Sequence, residues 1–320
     1  MIALLALLAA APQDTVTAQL RPYVRIAAPV IALTHANVIV GTDAPARAGM
    51  TIVIRNGRIE TLGDSAGTRI PQDAQVLDLA GRTVLPGLVM VHEHLFYPAG
   101  QAQYNWLGYS FPRLYLAGGA TTIRTGGSMV PYADLNLKRW IDAGQTPGPD
   151  LDVTGPYLNG PGLPIAGVNA LRDSAHARRM VEYWADEGTT SFKVYMQITR
   201  DELAAVVAAA HRRGLKVTGH LCSVTYREAA DLGIDDLEHG LYASTDFVAG
   251  KEPDHCPPGA AQSLTGLDVN GPQVTDLIRH LVERHVALTS TLTERGISRY
   301  RSYPSPWFNQ RATSLDHVRG

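Results

Sequence analysis

The sequence predicts an α/β fold in which a small all-β module precedes a longer domain of repeated strand–helix units. Short β-rich runs separated by turn residues fill residues 30–85, and strand and helix patterns alternate after Pro86. Repeated βα units of this size imply parallel strands, which right-handed crossovers wind into a barrel or an open sheet. About seven strands can be counted in this region, one short of a (β/α)8 barrel.

The all-β module is predicted from three strand patterns and one turn. Strands are expected at residues 36–40, 51–55 and 58–62. Asn56-Gly57 separates the last two, and this dipeptide is typical of a two-residue hairpin because both positions tolerate a positive φ. We therefore expect an antiparallel pair of strands around this turn.

The strand–helix region has recognisable helix ends. Thr199 with Glu202, and Thr225 with Glu228, have the spacing of capping boxes at the start of two helices. A glycine is expected to end each of these helices, at Gly214 and Gly233. Strands are expected at residues 88–92, 121–124, 151–154, 191–195, 216–220, 236–239 and 286–290. The first of them, an apolar run that ends at His92, is expected to be buried.

Composition limits the partners and the compartment. The 320 residues are 45% hydrophobic and carry a net charge of −2. This balance favours a large core and argues against nucleic acid or an anionic membrane as the main partner. Residues 1–11 form an apolar block that is too short to span a bilayer and is typical of a signal peptide. We expect cleavage before Gln19, which makes residues 1–18 a signal peptide and the protein secreted or periplasmic; a buried N-terminal strand or helix is the alternative.

Two cysteines, Cys222 and Cys256, are too few for a disulfide scaffold. In an oxidising compartment they could pair or remain thiols, and the sequence leaves both outcomes open. A homo-oligomer is also left open.

Histidines follow the predicted strands at the positions where barrel enzymes build their sites. His92 and His94 lie one residue apart and share a strand face, while His220 and His239 end two later strands. Neutral imidazole suits zinc. Lys193 lies within an apolar strand, where its charge must be neutralised or used. Carbamylation by carbon dioxide would turn this amine into an anionic oxygen ligand that can bridge two metals.

These motifs resemble the amidohydrolase superfamily, in the branch of imidazolonepropionase-like hydrolases and metal-dependent Xaa-Pro and Xaa-Lys/Arg dipeptidases. The resemblance runs from about Ala32 to the end of the chain. It rests on residues 85–94, Phe192-Lys193, Gly219-His220 and residues 237–240. It implies a distorted (β/α)8 barrel, here residues 86–320 and incomplete, with a small β-sandwich domain built from both termini, of which residues 19–85 are the N-terminal portion.

The resemblance also implies a two-metal site and a reaction. His92 and His94 would bind one Zn2+, carbamylated Lys193 would bridge, and His220 and His239 would bind a second Zn2+. A metal-bound hydroxide would attack the carbonyl carbon of a carbon–nitrogen bond in a small cyclic amide or a dipeptide. The alternatives are a mononuclear deaminase-like enzyme and an inactive exported binding protein.

One family residue has no counterpart, namely the metal-binding aspartate at the end of the eighth strand. Asp316 follows no β-rich run and lies too close to the strand predicted at residues 286–290. We therefore expect the chain to be a fragment of a longer enzyme and to have little or no activity as given, with a divergent inactive protein as the alternative.

Two further residues are candidates for contact with the substrate. Tyr195 shares a strand face with Lys193 and would donate a hydrogen bond to a substrate carbonyl or carboxylate, or else pack its ring at the barrel rim. Arg124 would bind a substrate carboxylate through two hydrogen bonds, or else form a structural ion pair.

Overall fold

The computed structural model describes residues 16–100, 103–163, 165 and 167–291. The chain divides into two compact units. The first comprises residues up to Val89 with Tyr109–Thr122 and Asn136–Asp150, and the second comprises Met90–Gly108, Ile123–Leu135 and the chain from Leu151 onward. The predicted boundaries after residues 18 and 85 stay predictions. Most of the predicted signal peptide, and also Asp316, lie outside the described residues.

The first unit contains a five-stranded sheet. Its strands are β1 (Val30–Val38), β2 (Arg47–Arg55), β3 (Arg58–Asp64), β4 (Gln75–Asp78) and β5 (Thr83–Val84). The order is β3-β2-β1-β4, with β5 also paired to β1. Strands β2 and β3 are antiparallel, and φ is positive at both Asn56 and Gly57, which confirms the predicted hairpin turn. The core of this sheet consists of Ala36, Val38, Met50 and Ile52.

The remaining strands form three sheets. They are β6 (Leu88–Glu93), β7 (Phe96–Gly100), β8 (Gln103–Trp106), β9 (Ala120–Thr125), β10 (Asp150–Asp152), β11 (Thr154–Asn159), β12 (Asn169–Ala170), β13 (Ser191–Val194), β14 (Lys216–Gly219), β15 (Asp236–Glu238) and β16 (Ala287–Thr289). A six-stranded parallel sheet has the order β12-β11-β13-β14-β15-β16, and a three-stranded sheet has the order β10-β9-β6. Strands β7 and β8 form a hairpin that the sequence did not predict.

Six α-helices accompany these strands in the described residues. They are α1 (Phe111–Ala117), α2 (Pro131–Asp142), α3 (Ser174–Glu187), α4 (Arg200–Arg212), α5 (Tyr226–Asp231) and α6 (Pro272–Glu283). Both predicted capping boxes are present. The side chains of Thr199 and Thr225 accept hydrogen bonds from the backbone N–H groups of Glu202 and Glu228, and the side chains of these glutamates accept from the backbone N–H groups of the threonines. None of the described helices is long and apolar enough to cross a membrane.

The sequence and the structure differ on one strand. The apolar run before His92 was expected to be a buried strand, but Leu88, Val89 and Val91 are 49%, 64% and 48% exposed. The expected burial is wrong because β6 is an edge strand of its three-stranded sheet. Strand β16 is likewise an edge, with Leu288 40% exposed. The fold is therefore α/β with a parallel sheet, and within the described residues the strands do not close into a barrel.

The two cysteines form a disulfide. Cys222, just after β14, is bonded to Cys256, which lies 34 positions later in the sequence, with 4.9 Å between their Cα atoms. The bond ties the loop after β14 to the long segment between β15 and α6. This settles the question that the sequence left open.

Candidate functional site

Four histidine rings gather in the second unit, each at or just beyond the end of a strand. The ring centroids of His92 and His94 are 5.2 Å apart, those of His92 and His239 are 4.8 Å apart, and those of His220 and His239 are 4.5 Å apart. The sequence singled out all four residues. The structure brings them together, while their role as metal ligands stays a prediction.

Gly126 makes room for the rings of His92 and His94. A Cβ atom on Gly126 would lie 2.9 Å from Cδ2 and Nε2 of His92 and 3.1 Å from Cε1 of His94. Any side chain at this position would therefore push the two imidazoles away. Gly126 belongs to the site for a steric reason that only the folded chain reveals.

Burial lowers the pKa of two of the imidazoles, those of His94 and His239. It lowers the pKa of His94 to about 3, and the charges of Lys193 and His92 lower it further. Burial and the neighbouring His220 also lower the pKa of His239 well below its ordinary value. Neutral rings at physiological pH are the form that can offer a lone pair to a metal.

Lys193 lies on β13 and is 1% exposed. Its Nζ is 3.7 Å from Oε1 of Glu238. Burial lowers the pKa of Lys193 to about 8, although the attraction of Glu238 works in the opposite direction. A lysine with this pKa has an appreciable neutral fraction at physiological pH.

Glu238 is the functional residue that the sequence reasoning missed. It is completely buried, Oε2 of its carboxylate lies 2.5 Å from Nδ1 of His92, and Oε1 accepts from Oγ1 of Thr218 at 2.6 Å. Burial raises the pKa of Glu238, but Lys193, the hydrogen bond with His92 and Arg124 outweigh this and hold the pKa below its usual range. A signal existed in the sequence, because Asp236 and Glu238 alternate with the buried Leu237 and so share the opposite face of a central strand.

Arg124 is already engaged in ion pairs. Its guanidinium donates to Glu238 at 3.0 Å, to Asp236 at 3.3 Å and to the carbonyl of Val91 at 2.7 Å. This geometry favours the structural ion pair over binding of a substrate carboxylate, which stays a prediction.

Aromatic rings form one side of the histidine cluster. The ring centroid of Tyr195 is 4.9 Å from that of His220 and 4.9 Å from that of Tyr157, and the ring of Phe96 is 4.6 Å from that of His94. Both predicted roles of Tyr195, hydrogen bonding to a substrate and packing at the rim, are compatible with this position.

The donor set fits a metal in type and proximity, but not yet in arrangement. Imidazole nitrogens, a lysine and nearby carboxylates are suited to zinc and similar ions. Among the described residues, however, no group of three or more His, Cys, Asp or Glu side chains could hold a metal ion as placed. The rings are therefore gathered without forming a finished coordination sphere.

Comparison with known proteins shows which proteins the chain is similar to. No family model matches the chain. An imidazolonepropionase from Acidiphilium cryptum is 27% identical over 263 residues, which are 67% of this chain and 66% of that protein. A protein assigned as a prolidase from Bifidobacterium longum is 30% identical, with a TM-score of 0.58 over 67% of this chain and 55% of its own. These relatives belong to the amidohydrolase superfamily, which is the family that the sequence motifs resemble.

Two further proteins are similar to the chain, one in fold and one in sequence. A Xaa-Pro dipeptidase solved with bound methionine has a TM-score of 0.57 at 20% identity, covering 82% of this chain and 79% of its own. A dihydroorotase from Syntrophus aciditrophicus is 33% identical over 85 residues, only 27% of this chain and 19% of that protein. The chain thus spans less than two thirds of the length of the curated relatives that it matches.

Proposed function

We propose that the chain is the metal-binding, catalytic part of a hydrolase that acts on carbon–nitrogen bonds in small cyclic amides or dipeptide-like substrates. The observation that carries this proposal is the group of four histidine rings in the second unit, together with the buried Lys193, whose charge acts on His94 and His239. The names of its relatives, imidazolonepropionase, dihydroorotase and Xaa-Pro dipeptidase, support the same bond type.

The proposed ligands follow the family order along the chain. His92 and His94 would hold one Zn2+, and His220 and His239 a second. The neutral amine of Lys193 would attack carbon dioxide, forming an N–C bond and releasing a proton, and the resulting carbamate would lie between the two ions. When bound, the metals would lower the pKa of a water molecule and polarise the substrate carbonyl.

The other side chains would prepare the site for that chemistry. Tyr195, two residues past Lys193, would donate a hydrogen bond to the substrate oxygen. The rings of Phe96 and Tyr157 would exclude water from the side of the histidine cluster that they cover.

We also propose that the parallel sheet and the three-stranded sheet are parts of a (β/α)8-type barrel. Strands β6 and β16 are edges with exposed apolar side chains, which is the kind of surface that a further strand covers. The missing aspartate would come from such a strand. Export of the protein is a further proposal, supported by the Cys222–Cys256 disulfide, since disulfides persist mainly in oxidising compartments.

Metal content and turnover test the proposed function together. We would compare the wild type, Lys193→Ala and His211→Ala, in this chain and in any longer form from the same gene. His211 is the matched control because it lies outside the cluster, is 41% exposed and pairs with Asp235. Two zinc ions per complete site, lost in Lys193→Ala and kept in His211→Ala, are expected.

Other outcomes would indicate a different function. One metal per chain with release of ammonia from nucleobases would indicate the mononuclear deaminase. A longer form without metal would indicate an exported binding protein. Unchanged metal content and turnover in Lys193→Ala would refute the bridging role of that residue.

A further inference from the structure

We propose that Glu238 is a positioning residue, which holds His92 in the tautomer with its proton on Nδ1 and so leaves the lone pair on Nε2 for a metal. The metal consequence rests on the proposed function, whereas the tautomer itself does not. The relation joins two strands that are far apart in sequence, since His92 and Glu238 are separated by 146 residues.

The first step is the direct contact. Oε2 of Glu238 lies 2.5 Å from Nδ1 of His92, and the two side chains are 0% and 7% exposed. Two cations, Arg124 and Lys193, lie 3.0 and 3.7 Å from the other oxygen, Oε1, and favour the ionised carboxylate. An ionised carboxylate only accepts hydrogen bonds, so the shared proton belongs to the imidazole nitrogen. In a neutral imidazole with Nδ1–H, the other nitrogen carries the free lone pair.

The second step is that the carboxylate is held in place. Its other oxygen, Oε1, accepts from Oγ1 of Thr218 at 2.6 Å and from the guanidinium of Arg124 at 3.0 Å. Nζ of Lys193 is 3.7 Å from the same oxygen. The two oxygens therefore have different partners: Oε1 contacts Arg124, Lys193 and Thr218, and Oε2 contacts His92.

The backbone at Glu238 is also fixed. The hydroxyl of the completely buried Tyr226 is shared between the backbone carbonyls of Glu238 at 3.0 Å and Gly240 at 2.8 Å, on either side of His239. The carboxylate therefore has a restrained base as well as restrained oxygens, which is what orienting a ring requires.

The third step concerns the far side of the imidazole. Gly126 has no side chain, and a Cβ there would lie 2.9 Å from Nε2 of His92. Nδ1 of the ring thus contacts Glu238, while Nε2 lies beside Gly126, where the absence of a side chain prevents a clash. In metalloproteins a carboxylate on the second nitrogen of a ligand histidine fixes its tautomer, and loss of that carboxylate typically weakens metal binding about 10–100-fold.

The test compares Glu238→Ala, Glu238→Gln and Asp236→Asn. Asp236 is the matched control because it shares the strand and face of Glu238 and also contacts Arg124 and Thr218, while its hydrogen bonds go to these residues and Thr289 rather than to His92. Gln keeps an acceptor oxygen for His92 but removes the charge. Ala removes both.

The first measurement is made on metal-free protein at pH 7.5. Long-range 1H–15N spectra of the imidazoles, with His92 assigned by comparison with His92→Asn, report the tautomer of each ring. We expect Nδ1–H in the wild type, with a downfield Nδ1 proton that moves upfield in Glu238→Gln and stays in place in Asp236→Asn. In Glu238→Ala the ring should become a mixture of tautomers.

Several results would overturn the proposal. These are an Nε2–H tautomer or a doubly protonated His92 in the wild type, or an Nδ1 proton that does not respond to Glu238→Gln. The Gln variant preserves the shape of the side chain, so the test remains decisive even if Glu238→Ala does not fold.

The second measurement is the zinc affinity of each variant, by competition with a chromophoric chelator. Glu238→Ala should bind zinc about 10–100-fold more weakly than the wild type, with a smaller loss in Glu238→Gln. Equal affinity in Glu238→Ala and the wild type would contradict the positioning role. If neither this chain nor a longer form from the same gene binds zinc, the proposed function fails, and the tautomer measurement still decides the role of Glu238.

Discussion

The interiors of the two units contain different chemistry. In the first unit, the five-stranded sheet packs Met50 and Ile52 against other apolar residues, and its buried polar side chains, Thr34 and Thr51, carry no charge. In the second unit, the parallel sheet encloses Lys193 and Glu238 at 1% and 0% exposure.

The difference shows where this chain has given up stability. Burial of an ion costs several kcal/mol unless partners and hydrogen bonds offset it. Apolar packing alone is sufficient to hold a sheet, as the first unit demonstrates. A buried ionic network beside four histidines therefore points to a site whose purpose is chemical rather than structural.

The largest change in stability is expected from the apolar interior. Met50 is 1% exposed, so Met50→Ala should lower the free energy of unfolding of the first unit by about 2–5 kcal/mol through lost contacts and a cavity. Denaturant unfolding measures this loss. The comparison predicts unchanged zinc affinity in the folded fraction, and a parallel loss of zinc binding would show that the sheet also supports the site.

Removal of the disulfide is expected to act on the second unit. Replacing Cys222 and Cys256 together by alanine should lower the free energy of unfolding by about 2–4 kcal/mol, because the bond closes a loop of 34 residues in the unfolded chain. A shift of the thermal midpoint, matched by the wild type under reducing conditions, would confirm it. A double variant as stable as the oxidised wild type would contradict it.

Asp134, a buried carboxyl group of the second unit, should make the free energy of unfolding depend on pH. Burial raises the pKa of Asp134 to about 6, although hydrogen bonds from Ser128 and Trp106 lower it. The folded state then binds a proton more tightly than the unfolded state, whose pKa is near 3.8. Stability from this group is therefore present below about pH 4 and lost as the pH rises through about 6, by on the order of 2–3 kcal/mol.

Asp134→Asn isolates this effect. Asn is close in shape to the protonated carboxyl group, so the variant should flatten the dependence of unfolding free energy on pH between 4 and 7. Urea unfolding at several pH values measures it, and an unchanged slope in Asp134→Asn would assign the pH dependence to other groups.

The smallest expected change in stability comes from a single methyl group. Gly126→Ala should cost about 1–3 kcal/mol, because the new Cβ overlaps His92 and His94, and it should also weaken zinc binding. Gly67→Ala is the control from the first unit, since a Cβ there meets nothing within 4 Å. Equal zinc affinity in Gly126→Ala and Gly67→Ala would mean that the two rings do not need this space.

Local features were predictable because they depend on neighbouring residues. The hairpin at Asn56-Gly57 and the capping boxes beginning at Thr199 and Thr225 formed as expected. The hairpin of β7 and β8 was missed because residues 96–100 include proline and glycine and show no strict alternation. The exposure of Leu88 and Val89 was missed because the same apolar run can form a central or an edge strand.

The sequence by itself determined that an all-β module precedes strand–helix units, where two of the helices begin and end, and which residues the proposed metal site uses: His92, His94, Lys193, His220 and His239. These follow from local propensity and from spacing along a strand. Only the tertiary structure decided that Glu238 bonds to His92, that Arg124 pairs with Glu238, and that Gly126 leaves space beside the rings. The physical reason is that these contacts join strands far apart in sequence, and neither periodicity nor composition encodes which buried groups will meet.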